Sequence, residues 1–129
     1  MADTTQTLRI LIVDDNPELR AMLGEVLERL GYSVQSMARA KEALAAMERG
    51  DVDLCLLDLN MPGVSGFEIL KLIRRRHLPI PIIVVSAYIS ETVAKDLAAV
   101  GIQGMVAKPF KKDRIAEEIQ RVAKQHLGV

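Results

Sequence analysis

Five polar residues stand at the ends of short apolar runs, and their types together suit the handling of a phosphoryl group. Asp14 and Asp15 follow the run Leu8 to Val13, Asp58 closes Leu54 to Leu57, Ser86 follows Ile80 to Val85, and Lys108 follows Gly104 to Ala107. Three carboxylates brought within about 5 Å of one another repel by roughly 3 kcal/mol per pair at an effective dielectric near 20. A hard divalent cation resolves that conflict, because Mg²⁺ takes oxygen ligands, keeps several waters and shares its site with a phosphoryl group. Lys108 adds a positive point charge and Ser86 a hydroxyl donor, both suited to phosphoryl oxygens. Zinc fits poorly, since Cys55 lies inside an apolar run and neither His77 nor His126 belongs to these run ends.

Such residues converge only if the runs are strands of one sheet. The chain alternates between two hydrophobic periods, which predicts five strands and five helices. Asn16 and Pro17 form a cap and first-turn pair, and Leu19, Met22, Leu23, Val26, Leu27 and Leu30 follow helical spacing until Gly31. A strand over 32–37 and a weakly capped helix marked by Ala40, Ala43, Leu44 and Met47 come next. The Asp58 strand leads through Met61-Pro62-Gly63 to a helix from about Gly66 to Arg75 that buries Ile69, Leu70 and Ile73. Pro79 and Pro81 confine the start of the fourth strand to an edge or an irregular beginning. Ser90 caps a helix with Val93, Leu97 and Val100 inward, closed by Gly101. A last helix from Lys111 buries Ile115, Ile119, Val122 and Ala123, while its other faces carry Lys112, Glu118, Arg121 and Lys124. Strands alternating with helices imply a parallel α/β sheet covered on both sides, with ligands at the carboxyl ends of the strands.

Composition bounds the function. Half of the 129 residues are hydrophobic but only 3% are aromatic, so Leu, Ile, Val, Ala and Met must build the core. Seventeen basic and seventeen acidic residues cancel, which argues against a nucleic-acid or anionic-membrane surface. The single cysteine forms no internal disulfide and reads as a small buried hydrophobe, consistent with a cytoplasmic protein. No apolar run reaches the length of a membrane span. Arg74-Arg75-Arg76-His77 reads as a solvated helix end, because basic residues there favour the helix dipole. His126 reads as exposed and Phe110 as packing at the start of the last helix.

Asp14-Asp15, Asp58 before Met61-Pro62-Gly63, Ser86-Ala87 and Lys108-Pro109-Phe110, in this order at successive strand ends, resemble the receiver domain of bacterial two-component response regulators. The resemblance implies a flavodoxin-like (βα)5 three-layer sandwich with strand order 2-1-3-4-5. It divides the chain into a flexible tail, residues 1–7, and a receiver over 8–127, either free-standing or part of a longer protein. It makes Asp58 the acceptor of a phosphoryl group from a histidine kinase, forming an acyl phosphate. Mg²⁺ would be held by Asp15 directly, Asp14 through water, the backbone carbonyl of Asn60, and Asp58. Lys108 would pair with Asp58 before reaction and with a phosphoryl oxygen after it, following a cis Lys108–Pro109 peptide. Ser86 would move toward the phosphoryl group and reshape the surface of the fourth helix, fifth strand and last helix, where Phe110 also lies.

The family usually places Tyr or Phe three residues before the lysine; here that residue is Met105, either a softer switch element or plain packing on an edge strand. Tyr88 and Asn60 flank the expected phosphoryl site, and Tyr88 is expected to shield it and slow hydrolysis. An aspartyl-nucleophile phosphatase fits less well, since it places a second acid where Asn60 stands. A flavodoxin-type cofactor binder would need a hydroxyl- or glycine-rich loop where Asp14-Asp15-Asn16-Pro17 stands. The expectation is therefore a phosphorylation-activated switch, not an enzyme in the ordinary sense. Its partners would be a sensor histidine kinase or phosphotransfer protein and a downstream target or fused effector, with phosphorylation-dependent homodimerisation open and no direct contact with nucleic acid or membrane. The alternative is a receiver-like binding module that has lost phosphorylation.

Overall fold

The structure, a computed structural model, describes residues 7–59, 66–87 and 89–128. Among these, five strands alternate with five helices: β1 (Arg9–Val13), α1 (Pro17–Arg29), β2 (Ser33–Met37), α2 (Ala40–Glu48), β3 (Leu54–Asp58), α3 (Gly66–Arg75), β4 (Ile82–Ser86), α4 (Glu91–Val100), β5 (Gly104–Ala107) and α5 (Lys112–Leu127). All strand pairs are parallel, and the sheet order is β2-β1-β3-β4-β5. This is the flavodoxin-like α/β sandwich that the sequence led us to expect.

Strand periodicity divides the core between the two faces. Leu11, Val13, Cys55, Leu57, Ile82 and Val84 point to one side, where Leu44, Met47, Ile69, Leu70, Ile73 and Leu97 of α2, α3 and α4 close over them. Ile10, Ile12, Leu54, Leu56, Ile83, Val85 and Val106 point to the other, against Leu23 and Leu27 of α1 and Ile115, Ile119 and Val122 of α5. β3 and β4 are buried along their whole length, as strands covered on both faces must be. Each fully buried Leu or Ile contributes about 2 kcal/mol of burial free energy, so aliphatic packing alone can hold the sheet.

Local signals set the helix starts. The Asn16 side chain accepts from the backbone N–H groups of Glu18 at 3.0 Å and Leu19 at 3.3 Å, and Ser90 Oγ accepts from Val93 N–H at 3.1 Å. Arg39 offers α2 no side-chain cap, as its sequence implied. Of the two readings of Pro79 and Pro81, the irregular beginning is the one observed. β4 is interior, starting at Ile82 rather than Ile80, and the Pro81 carbonyl accepts from Cys55 N–H at 3.0 Å. No helix among the described residues is long and apolar enough to cross a membrane.

Candidate functional site

Register places the polar strand ends side by side. Val13 pairs with Leu57, so Asp14 is level with Asp58 on the neighbouring strand; Asp58 pairs with Val85, and Ser86 pairs with Ala107, the residue before Lys108. One carboxylate oxygen from each of Asp14, Asp15 and Asp58 lies within 4.8 Å of the others. Asp14 and Asp58 are buried and Asp15 is exposed, so the cluster is reached by solvent at Asp15. Lys108 Nζ stands 3.1 Å from Asp14 Oδ2 and 3.5 Å from Asp58 Oδ2. The ammonium thus bridges both buried acids and sits nearer Asp14, where the sequence reading paired it with Asp58 alone. The Lys108–Pro109 peptide is cis.

The surrounding backbone fixes these groups. Asp14 Oδ1 accepts from Asn16 N–H at 2.9 Å, tying the acid to the start of α1, and Arg20 Nη1 donates to the Asp14 carbonyl at 2.7 Å. Ser86 is fully buried, and its carbonyl accepts from Lys108 N–H at 2.8 Å. Gly66 opens α3 directly behind β3: a Cβ there would lie 2.6 Å from the Asp58 carbonyl oxygen, so only glycine permits this approach. Among the described residues, three carboxylates gather round the Lys108 ammonium, and the metal-ligating atoms they offer are all oxygens. That donor set and spacing fit a hard divalent cation such as Mg²⁺. Soft ligands lie elsewhere. Cys55 is buried in mid-strand, where desolvation pushes its thiol up to about 12, and both histidines are exposed and outside the cluster.

The sequence pattern of the response regulator receiver domain matches residues 10–120. The chain belongs to that family. This receiver is 30% identical over 120 residues to the transcriptional regulatory protein TcrA of Mycobacterium tuberculosis, covering 92% of the chain but spanning only 47% of TcrA. It is 31% identical over 122 residues to chemotaxis protein CheY-3 of Vibrio cholerae, covering 91% of the chain and 92% of CheY-3. Among solved structures it resembles the response regulator TrrA of Thermotoga maritima in complex with Mg²⁺ and BeF, with a TM-score of 0.79 and 34% identity over 90% of this chain and 99% of that one.

Asp14, Asp15, Asp58, Ser86 and Lys108 therefore share one rim of the receiver's sheet. Asn60 and Tyr88 lie outside the described residues. Met105 is on the edge strand β5 and is 36% exposed, while Phe110 packs partly buried against the α1 and α5 side of the core.

Two side chains depart from the sequence expectation. Glu118, assigned to an outer polar face of α5, is buried. It accepts from Met105 N–H at 3.0 Å, from Arg121 Nη2 at 2.9 Å and from Arg114 Nη1 at 3.2 Å. The Arg121 bond is the main cause that pushes its carboxyl down to about 2. Its position three residues after Ile115 and four before Val122 already placed it on the buried stripe. Arg74, read as part of a solvated helix end, donates instead to the carbonyls of Leu78, Ile80 and Gly101 and to Gln103 Oε1 at 2.8–3.0 Å. It ties the end of α3 to the end of α4, and burial lowers its affinity for a proton. Arg75, Arg76 and His77 are exposed as expected.

Proposed function

We propose that this receiver is a phosphorylation-activated switch in which Asp58 accepts a phosphoryl group, with Mg²⁺, from the phosphohistidine of a sensor kinase or phosphotransfer protein. The observation that carries this reading is the convergence on one rim of Asp14, Asp15 and Asp58, with carboxylate oxygens within 4.8 Å of one another, and of Lys108 at ion-pair distance from Asp14 and Asp58. An ionised Asp58 oxygen attacks phosphorus while the phosphorus–nitrogen bond of the donor breaks and its electron pair stays with the histidine. Asp14, Asp15 and the Asn60 carbonyl would hold the metal beside Asp58. When bound, the ion neutralises charge shared between these acids and the phosphoryl oxygens. Lys108 is already poised between Asp14 and Asp58, so a short reorientation brings its ammonium onto a phosphoryl oxygen. Water later cleaves the acyl phosphate and regenerates Asp58. The related TrrA of Thermotoga maritima has been solved in complex with Mg²⁺–BeF, which supports magnesium binding in a receiver of this kind.

Ser86 is assigned the hydroxyl that follows the phosphoryl group, Met105 the responding position on β5, and Tyr88 a shield over the site. The changed surface of α4, β5 and α5 would then control a partner protein or a fused effector, with phosphorylation-dependent pairing of two copies as one form of output. The test is incubation of the full chain with acetyl phosphate and Mg²⁺, read by intact mass. One phosphoryl group should be gained only with the metal present, and Asp58→Asn should abolish it. An unmodified wild-type chain, or modification that survives Asp58→Asn, would overturn the proposal and favour a binding module without phosphotransfer.

A further inference from the structure

Away from the acidic rim, α2 and α3 form a groove that no described segment of the chain fills. The two helices lie on the same face of a parallel sheet, so they run side by side in one direction, and the ion pair of Arg76 with Glu48 joins their carboxyl ends. Between them is a cleft of about 420 Å³. Its floor is apolar, formed by Ala40 and Leu44 of α2 and Ile69 and Leu72 of α3, and its rim carries Lys41 and Arg75. The nearby acids are engaged, Glu68 with Lys71 at 3.7 Å and Glu48 with Arg76. Among the described residues, Lys41 and Arg75 have no carboxylate at ion-pair distance. In a chain of zero formal net charge, two unpaired cations beside one apolar cleft are a local arrangement rather than a general bias.

We propose that this groove docks an acidic amphipathic helix supplied by a partner protein. A cleft between two parallel helices accepts a third, whose apolar residues fill the floor while its acids meet the rim. Lys41 belongs to the first turn of α2, and Arg75 lies seven residues beyond Glu68 of the first turn of α3. The rim cations are therefore about two helical turns, roughly 10 Å, apart along the groove. In a helix with acids at i and i+7 and leucines at i+3 and i+4, all four lie on one stripe; the leucines at its middle cover the floor, and the acids at its two ends reach out to the rim cations, one on each wall. A second copy of this chain is a poor occupant, because the large hydrophobics exposed among the described residues are Leu30, beyond the end of α1, and Met105, on a strand. A membrane is a poor occupant too, because the exposed large hydrophobics among the described residues, Leu30 and Met105, lie outside the groove lining.

The probe is a synthetic, fluorescein-labelled alanine-rich helix with glutamates at i and i+7 and leucines at i+3 and i+4, titrated with the full chain at low salt by fluorescence anisotropy. Saturable binding is expected, weakened about tenfold by the double reversal Lys41→Glu/Arg75→Glu and recovered when both probe glutamates become lysines. Leu72→Asp should weaken both probes. The charge-reversed protein should keep the wild-type circular dichroism melt and its labelling by acetyl phosphate, so failure here is separate from failure of the rim. Absence of saturable binding, binding indifferent to charge reversal, or capture by phosphatidylglycerol vesicles without binding of the helix would each overturn the proposal.

Discussion

Two buried carboxylate clusters in this receiver are neutralised in opposite ways. At Glu118 one carboxylate meets two guanidinium groups and a backbone N–H, and the arrangement stitches α5 to the outer edge of β5. At the rim three carboxylates meet one ammonium, with two of the acids buried. The first cluster is closed: its acceptors are filled, and its low proton affinity shows how strongly the folded state favours the ion. In the second, among the described residues, the ion pairs run from the Lys108 ammonium to Asp14 and Asp58, and the exposed Asp15 leaves the cluster open to a further cation. A carboxylate that serves the fold is paired out, whereas clustered acids fit the role proposed for this rim, holding a cation beside a phosphoryl group.

Opposite signs of stability change are the sharpest consequence. Glu118→Ala leaves Arg114 and Arg121 facing each other and strands Met105 N–H, and should lower the unfolding free energy by about 2–3 kcal/mol in urea titrations. The pH dependence follows from the same group. Its carboxyl falls from an ordinary 4.5 to about 2 in the folded state. The stability it supplies is complete above the unfolded value and is lost as pH falls through the folded one. Because the flanking arginines are partly exposed, that contribution is about 2 kcal/mol. Wild type and Glu118→Gln should therefore converge in stability as pH drops from about 5 to about 2, measured by thermal melts across that range.

At the rim the effect should reverse. Asp58→Asn without metal removes one of the mutually repelling charges and should stabilise the fold by about 1 kcal/mol. Millimolar Mg²⁺ should raise the melting temperature of wild type, and Asp15→Asn should erase most of that gain. Destabilisation by Asp58→Asn would place the two clusters in the same class and break the contrast. The smallest effect belongs to Met105→Ala. With the side chain 36% exposed and the strand held by backbone bonds to Glu118 and Arg114, the loss should stay below about 0.5 kcal/mol in the same titrations.

Much of this was legible in the sequence for a physical reason: strand ends in a parallel sheet are level, so five polar residues at the ends of four apolar runs had to share an edge if the sheet formed. Asn16 with Pro17, and Ser90, marked helix starts because unpaired N–H groups demand those residue types, whereas the close approach that requires glycine at Gly66 shows only in the fold. Glu118 and Arg74 were missed because charge was weighed above position. Each lies three or four residues from buried neighbours on its own helix, and Glu118 is buried and Arg74 half-buried because their partners, Met105 N–H and the carbonyl of Gly101, come from elements distant in sequence. The strand order likewise depends on pairing between elements, which local periodicity does not encode. It entered with the family resemblance.

The central claim is that Asp58 carries the phosphoryl group. Borohydride reduces an aspartyl phosphate to homoserine, so treatment of the acetyl phosphate-labelled chain followed by peptide mapping reads the modified position directly. The account predicts homoserine at position 58 alone, dependent on Mg²⁺. Homoserine at Asp14 or Asp15, or none in a chain that has gained phosphoryl mass, would contradict it.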